Sequence, residues 1–414
     1  MIFFIYQILL SIILCFSPII VIIRIIKNKE DKFRFKEKFC LFSKKRGSGK
    51  LIWFHGSSVG EILSVVPLIK KYENDKSISK ILITSSTLSS SKVLEKIKFK
   101  KTIHQFYPID HVFFSKKFLS HWKPNVAIFL ESEVWPSMFK SIKNENILLI
   151  LLNARITKKS FDRWNKIKKF SNSIFSLVDK AYSQNLETNY YLKKLNVKNI
   201  KSIGNLKFIE HNMLEINHSD KKLFSQFKKF KTFVAASTHN TEELFAAKTH
   251  ILLKKKIKNI ITIIIPRHID RVEQIISQIS ELGLNIVSHK SNKKKLSNID
   301  IYVVDTFGES EKFYKLATTV FLGGSIIKRG GQNPLEPARF GAKILHGPNI
   351  DNFKDVYKYL NQLKISSKIN SPQQCANSII FKKNMKKVKK MKFLGTNILK
   401  KTLNELDKLI HNEI

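Results

Sequence analysis

The strongest constraint on the fold is an alternation that occurs twice. From Leu51 to about Gly204, short apolar runs (Leu51–Phe54, Ile81–Thr84, Val126–Leu130, Ile147–Leu152 and Ala181–Ser183) alternate with helical patterns. After a polar, charged stretch the alternation restarts at Phe233–Ala236, Ile260–Ile265, Ile286–Val287, Ile301–Val304, Val320–Leu322 and Ile344–Leu345. Apolar strands separated by crossover helices stack as βαβ units, giving a parallel sheet covered on both faces. The pattern therefore predicts an α/β chain with two doubly wound, Rossmann-like domains, 51–204 and 232–383, joined by a linker at 205–231. Two such domains leave an interdomain cleft at their strand ends, where ligands favour binding. With 414 residues, 43% of them hydrophobic, the chain can bury two cores.

Ahead of the first domain, residues 1–23 carry no charged side chain, close to the roughly 20 residues a helix needs to cross a hydrocarbon core. No basic stretch precedes them and no small-residue cleavage site follows, so residues 1–26 read as a retained single-pass anchor rather than a secretory signal. Arg24, Lys27, Lys29 and Lys32 come next, and the positive-inside rule puts the rest of the chain on the cytoplasmic side. Residues 27–50 interleave Phe33, Phe35, Phe39 and Phe42 with basic residues. That pattern suits an interfacial segment, a basic linker being the plainer alternative. Residues 384–414 read as a basic C-terminal helix.

The formal charge of +42 invites a nucleic-acid reading. The lysines are spread over nearly every predicted surface, however, and no nucleic-acid-binding signature accompanies them. Beside an anchor, the functional share of the charge suits anionic lipid headgroups or a phosphorylated lipid. Cys15, Cys40 and Cys375 are scattered and form no CxxC pair, which points to neither disulfides nor zinc and to a reducing compartment.

The candidate chemistry sits at predicted strand ends. His55-Gly56-Ser57-Ser58 is too small and polar for core, and the apolar spacing after it puts Glu61 in the first turn of a helix. A Glu there also stabilises a helix dipole with no further role. Glu131-Ser132-Glu133-Val134-Trp135-Pro136 follows another strand, and paired carboxylates need partners or solvent; Arg155, ending the next strand, is a candidate counter-charge. Lys207, in Gly204-Asn205-Leu206-Lys207-Phe208 at the expected domain junction, can stabilise developing negative charge.

In the second domain, Pro266-Arg267-His268 puts a guanidinium at a strand end, suited to phosphate or carboxylate. Ala236-Ser237-Thr238-His239 ends a second strand. Gly308-Glu309-Ser310 opens a helix whose free N–H groups can hold an anion. Gly323-Gly324-Ser325, Gly330-Gly331 and Gln332-Asn333-Pro334-Leu335-Glu336-Pro337 form a Gly-rich loop entering a short helix, and Glu336 can accept hydrogen bonds from ribose. No Walker A or GxGxxG sequence is present.

Taken in order, the anchor, HGSSVGE, ESEVWP, NARIT, GNLKF, PRH, FGE and GGQNPLEPARFGA resemble the 3-deoxy-D-manno-octulosonic acid (Kdo) transferases of lipopolysaccharide synthesis over nearly the whole chain. The resemblance implies a GT-B glycosyltransferase of the cell inner membrane that joins Kdo from CMP-Kdo to the 6'-hydroxyl of a tetraacylated, bisphosphorylated lipid A precursor. It implies inversion, no metal and no cofactor. By motif, Glu61 corresponds to the general base, and Glu131 and Lys207 to groups that support the transition state. Pro266, Arg267, Gly308, Glu309, Ser310, Asn333, Pro334, Leu335 and Glu336 correspond to residues that hold CMP. Ser310 stands where the family usually has Leu or Met, and Gln332 where it usually has His. The alternatives are a transferase using another nucleotide sugar, or a non-enzymatic protein binding anionic lipid or nucleic acid.

Overall fold

The computed structural model describes residues 1–210, 224–290, 296 and 298–412; residues 211–223 of the expected linker lie outside the described residues. The chain divides into two compact units, Met1–His211 with Leu394–Ile414, and Asn212–Phe393.

The first unit is built on β1 (Leu51–His55), β2 (Lys80–Ser85), β3 (Thr102–Phe106), β4 (Val126–Leu130), β5 (Leu148–Ala154), β6 (Lys180–Ser183) and β7 (Ile200–Ser202). Every neighbouring pair is parallel, in the order β3-β2-β1-β4-β5-β6-β7. Side chains alternate across a strand, so this sheet has two buried faces. Trp53, Ala127, Phe129, Leu149 and Leu151 belong to one core; Ile52, Phe54, Ile128, Leu130, Ile150 and Leu152 belong to the other. Ile398, Leu406, Leu409 and Ile410, from the C-terminal helix Met385–Asn412, join the second core.

The second unit repeats the plan with β8 (Lys231–Thr238), β9 (Ile260–Pro266), β10 (Ile286–Ser288), β11 (Ile301–Val303), β12 (Thr319–Leu322), β13 (Lys343–His346) and β14 (Ser366–Lys368). This sheet too is parallel, in the order β10-β11-β9-β8-β12-β13-β14. Phe233, Ala235, Ile264, Val303 and Phe321 lie in its core. Two Rossmann-like parallel sheets with intervening helices are the architecture the alternation predicts. Strands β3, β7 and β14 go beyond the sequence reading, and all three are sheet edges.

Among the described residues, Ile2–Ile26 is the one helix long and apolar enough to cross a membrane.

Candidate active site

Each sheet reverses its direction of strand addition once, between β1 and β4 in the first unit and between β8 and β12 in the second. At such a switch point the loops leaving the two central strands diverge, opening a crevice beyond their carboxyl ends.

In the first unit, β1 runs into His55-Gly56-Ser57-Ser58 and then the helix Val59–Glu73. Ser58 caps that helix: its hydroxyl oxygen accepts the Glu61 N–H at 3.3 Å and its O–H donates to Glu61 Oε1 at 2.8 Å. The Ser57 N–H donates to Glu61 Oε2 at 2.8 Å. Gly56 permits the close approach, because a Cβ there would lie 2.9 Å from Leu130 Cδ1 and 3.2 Å from Glu61 Cβ.

The loop after β4 brings two more carboxylates to this switch point. Glu133 Oε2 accepts the Ser57 hydroxyl at 2.5 Å and the Trp135 indole N–H at 2.9 Å, with His55 Nε2 at 3.3 Å. Glu131 is buried and lies 2.5 Å from Lys207 Nζ. Lys207 meets Glu131 as a counter-charge, and Arg155 gives its backbone N–H to the Glu131 carbonyl at 3.2 Å. Glu131 and Asn153, at the ends of neighbouring strands, both have left-handed backbone, φ +53° and +55°. Non-glycine residues adopt that conformation at a local cost, and it recurs at active sites.

Buried amides fix Lys207. Its N–H donates to Asn205 Oδ1 at 2.9 Å, and the Leu206 N–H donates to Asn153 Oδ1 at 3.0 Å. Gln184 Nε2 donates to the Asn153 carbonyl at 3.0 Å, and Asn205 Nδ2 donates to Gln184 Oε1 at 3.1 Å. Glu61, Glu131 and Lys207, read separately from three motifs, therefore all lie in the first unit, with Glu133, Asn153, Asn205 and Gln184 supporting them.

The electrostatics single out Glu61. Burial, then the charges of Glu131 and Glu133, push its pKa up to about 7 against the opposing hydrogen bonds from Ser58 and Ser57. Burial also acts upward on Glu133, but hydrogen bonds and charge from His55, with Ser57 and Trp135, hold it below the ordinary value. Neighbouring carboxylates with opposite shifts are the pattern from which acid and base roles are assigned.

The second unit presents a backbone cradle at its switch point. Glu242, fully buried in the first turn of the helix after β8, accepts four N–H groups: His239 at 3.0 Å, Gly324 at 2.7 Å, Ser325 at 3.1 Å and Ile326 at 3.0 Å. That carboxylate ties the turn after β8 to the Gly-rich turn after β12. Gly323 packs so closely that a Cβ would lie 2.4 Å from the Ser237 carbonyl oxygen. Little in the sequence marks Glu242, because three of its four bonds reach partners more than 80 positions away. Its one sequence cue is a carboxylate in a first helical turn, the cue that marked Glu61.

Around the cradle, Arg329, Gln332 and His239 all approach Gly324: a Cβ there would lie 3.4 Å from Arg329 Cβ, 3.3 Å from Gln332 Nε2 and 3.5 Å from His239 Cδ2. His239 Nε2 is buried and makes no hydrogen bond. Burial, then His268 and the guanidinium groups of Arg329, Arg267 and Arg271, push the His239 pKa down to about 4. A cationic pocket with an unsatisfied imidazole nitrogen is suited to an anion.

The remaining predicted residues lie on the same unit. Pro266 ends β9, and the exposed Arg267 gives its N–H to the Thr238 carbonyl at 2.9 Å. Gly308 takes φ +85°, which favours glycine in the turn before the helix Ser310–Leu316. The Glu309 carboxylate is engaged by His289 at 3.0 Å, Lys312 at 2.8 Å and the Thr306 hydroxyl. Asn333 Oδ1 accepts the Leu335 N–H at 3.1 Å and its amide donates to the exposed Glu336 at 3.3 Å; Pro334 and Leu335 are buried.

Comparison with known proteins gives the family. A model described as 3-deoxy-D-manno-octulosonic-acid transferase (kdotransferase) matches residues 33–210. A 3-deoxy-D-manno-octulosonic acid transferase of Rickettsia bellii is 34% identical over 388 residues, covering 92% of this chain and 91% of the relative. The chain belongs to the 3-deoxy-D-manno-octulosonic acid transferase family. A more distant member from Haemophilus influenzae is 26% identical, covering 77% of this chain and 76% of its own. Among solved structures, a glycosyltransferase from Rickettsia africae shares the fold with a TM-score of 0.55 at 12% identity, covering 89% of this chain and all of that one. A UDP-N-acetylglucosamine 2-epimerase matches with a TM-score of 0.55 at 12% identity, covering 88% and 97%. The fold is GT-B.

Within this Kdo transferase the two departures from the usual motif have local partners. Ser310 hydrogen-bonds the buried Tyr314, which also bonds Ser237 and feels the charge of Glu336. Gln332 holds its amide beside Gly324, and its carbonyl accepts the Tyr357 hydroxyl at 3.3 Å.

Proposed function

We propose that this glycosyltransferase moves Kdo from CMP-Kdo to the 6'-hydroxyl of a tetraacylated, bisphosphorylated lipid A precursor, with inversion, on the cytoplasmic face of the inner membrane. The observation that carries the reading is Glu61: a carboxylate at the switch point of the first sheet, with a pKa of about 7. A base serves best when its pKa lies near the working pH.

The step balances as a single displacement. The acceptor oxygen bonds to the anomeric carbon of Kdo while Glu61 takes its proton. The bond from that carbon to the CMP phosphate oxygen breaks, and CMP leaves with the electron pair. Oxocarbenium character on the sugar is stabilised by nearby carboxylate charge, the role proposed for Glu131, with Lys207 holding it in place. Charge appearing on the phosphate is met by Arg267 and the free Nε2 of His239, beside the Gly-rich turn whose N–H groups Glu242 and the Ala236 carbonyl already hold in place. Gly308, Glu309 and Ser310, with Asn333, Pro334, Leu335 and Glu336, hold the rest of CMP. Glu309 acts in this scheme through the shape of its turn, because its carboxylate already has three partners. The resemblance implies no metal.

The test supplies CMP-Kdo generated in situ and a tetraacyl lipid A precursor to the detergent-purified chain and follows the lipid by mass spectrometry. Addition of Kdo that disappears in Glu61→Gln is the expected result. Full activity in Glu61→Gln would remove the base, and folded protein that fails to bind CMP would overturn the reading.

A further inference from the structure

The helix Ile2–Ile26 is apolar enough to cross a bilayer, yet one side of it is less exposed than the other and is tied down near both ends. Phe3, Tyr6, Gln7, Leu10, Leu14, Ser17, Val21 and Arg24 are partly or fully buried, and the residues between them are exposed. Spacing of three and four is one face of a helix. The face meets the first unit through specific bonds. Tyr6 donates its hydroxyl proton to Asp110 at 2.7 Å, Gln7 Nε2 donates to Ser137 Oγ at 2.7 Å, and the Val112 N–H donates to Gln7 Oε1 at 3.1 Å. Lys140 Nζ lies 3.6 Å above the Phe3 ring. At the other end Arg24 pairs with buried Glu30 at 3.0 Å, and Lys38 holds Glu30 at 2.7 Å.

Both ends are therefore tied to one folded unit. Tyr6 and Arg24 are roughly 27 Å apart along the axis at 1.5 Å per residue, nearly the ~30 Å of a hydrocarbon core. If the helix crossed the bilayer, Asp110, Ser137 and Lys140 would lie at the far side while Glu30 and Lys38 stayed at the near side. The folded unit would then have to enter the hydrocarbon with its charged surface. Lying flat removes the conflict.

We propose that the N-terminal helix lies in the plane of an anionic bilayer surface, with its Tyr6–Gln7 face docked on the first unit and its opposite face in the lipid. The outward face, with Phe4, Ile8, Ile12, Phe16, Ile19 and Ile23, is exposed and carries no charge. Exposed Phe33, Leu41 and Phe113 on the same unit add apolar surface, and exposed Lys27, Lys29 and Lys32 follow the helix directly. An apolar face with adjoining lysines is complementary to acyl chains beneath anionic headgroups.

The test does not depend on Kdo transfer. Gln7→Cys and Ser137→Cys are combined with Cys15→Ser in the full chain, which is reconstituted in phosphatidylethanolamine and phosphatidylglycerol vesicles and treated with a short bis-maleimide. Cross-linking in vesicles to the same extent as in detergent is expected. Its loss on moving from detergent to vesicles overturns the proposal. If the double variant fails to fold, Ile2→Cys with Cys15→Ser decides. A membrane-impermeant maleimide should label it from the side on which trypsin reaches the folded units; labelling only after the vesicles are opened would show a crossing helix.

Discussion

The acid limb of the pH–rate profile should respond to Glu133, a residue outside the proposed catalytic set. Ser57 joins the two carboxylates, its N–H on Glu61 at 2.8 Å and its hydroxyl on Glu133 at 2.5 Å. With backbone dimensions inside Ser57, their oxygens lie no more than roughly 8 Å apart. At an effective dielectric constant of about 20, two unit charges at that distance repel by ~2 kcal/mol, equivalent to about 1.5 pKa units. Burial and the Glu131 charge are the larger causes of the Glu61 shift and survive the substitution, so Glu133→Gln should lower the Glu61 pKa by about one unit. A base must be ionised to act, so kcat/KM falls as pH drops through its pKa. The limb should sit near 7 in the parent enzyme and move to lower pH in the variant. His55, whose burial holds its pKa below the ordinary value, does not supply the limb. The assay is kcat/KM for Kdo transfer across the acid to neutral range. A limb that stays in place, or moves upward, refutes the assignment of Glu61 as the titrating base.

Other consequences follow from the same geometry. Because the native pKa of Glu61 lies above its unfolded value, the native state holds a proton that the unfolded state releases, and stability is lost as pH rises from 4.5 through about 7. Glu61→Gln should therefore be inactive yet more stable at about pH 8, by roughly 1–3 kcal/mol, with no difference below about pH 4; denaturant melts at the two pH values check this. Lys207→Met leaves buried Glu131 without the cation at 2.5 Å and should cost about 3 kcal/mol, read by thermal melting, with kcat reduced. Glu242→Gln replaces two acceptor oxygens with one and should loosen the Gly324-Ser325-Ile326 turn, destabilising the fold by about 2–3 kcal/mol and weakening CMP in calorimetry. His239→Ala should weaken CMP about tenfold, ~1.4 kcal/mol, with the melting temperature little changed.

How legible the fold was depended on where each strand sits. The eleven strands recognised in the sequence are mostly central, where both faces are buried and nearly every residue is apolar, as in Val126–Leu130 and Ile260–Ile265. The three that escaped are edges. Thr102–Phe106 has only two apolar residues in five, Ile200–Ser202 is largely exposed, and Ser366–Lys368 contains no apolar residue. An edge strand pairs on one side and is partly solvated, so backbone hydrogen bonding places it more than side-chain composition does.

The site divides along another line, shown by two glutamates in equivalent positions. Glu61 and Glu242 each stand in the first turn of the helix after a central strand at a switch point. In the sequence both are carboxylates in a first helical turn, and the small-residue loop His55-Gly56-Ser57-Ser58 precedes Glu61 alone. Their surroundings set them apart. Glu61 is held by Ser57 and Ser58 and faces two other carboxylates, which raises its pKa toward neutrality. Glu242 is completely enclosed and accepts four backbone N–H groups, three of them from the turn after β12. A carboxylate so fully satisfied has no lone pair left to take a substrate proton, and its hydrogen bonds organise the Gly-rich turn instead. One local pattern therefore yields a base where like charges crowd it and a backbone clamp where N–H groups surround it. That difference depends on residues brought together by the sheet order, so it becomes readable only once the strands are in place.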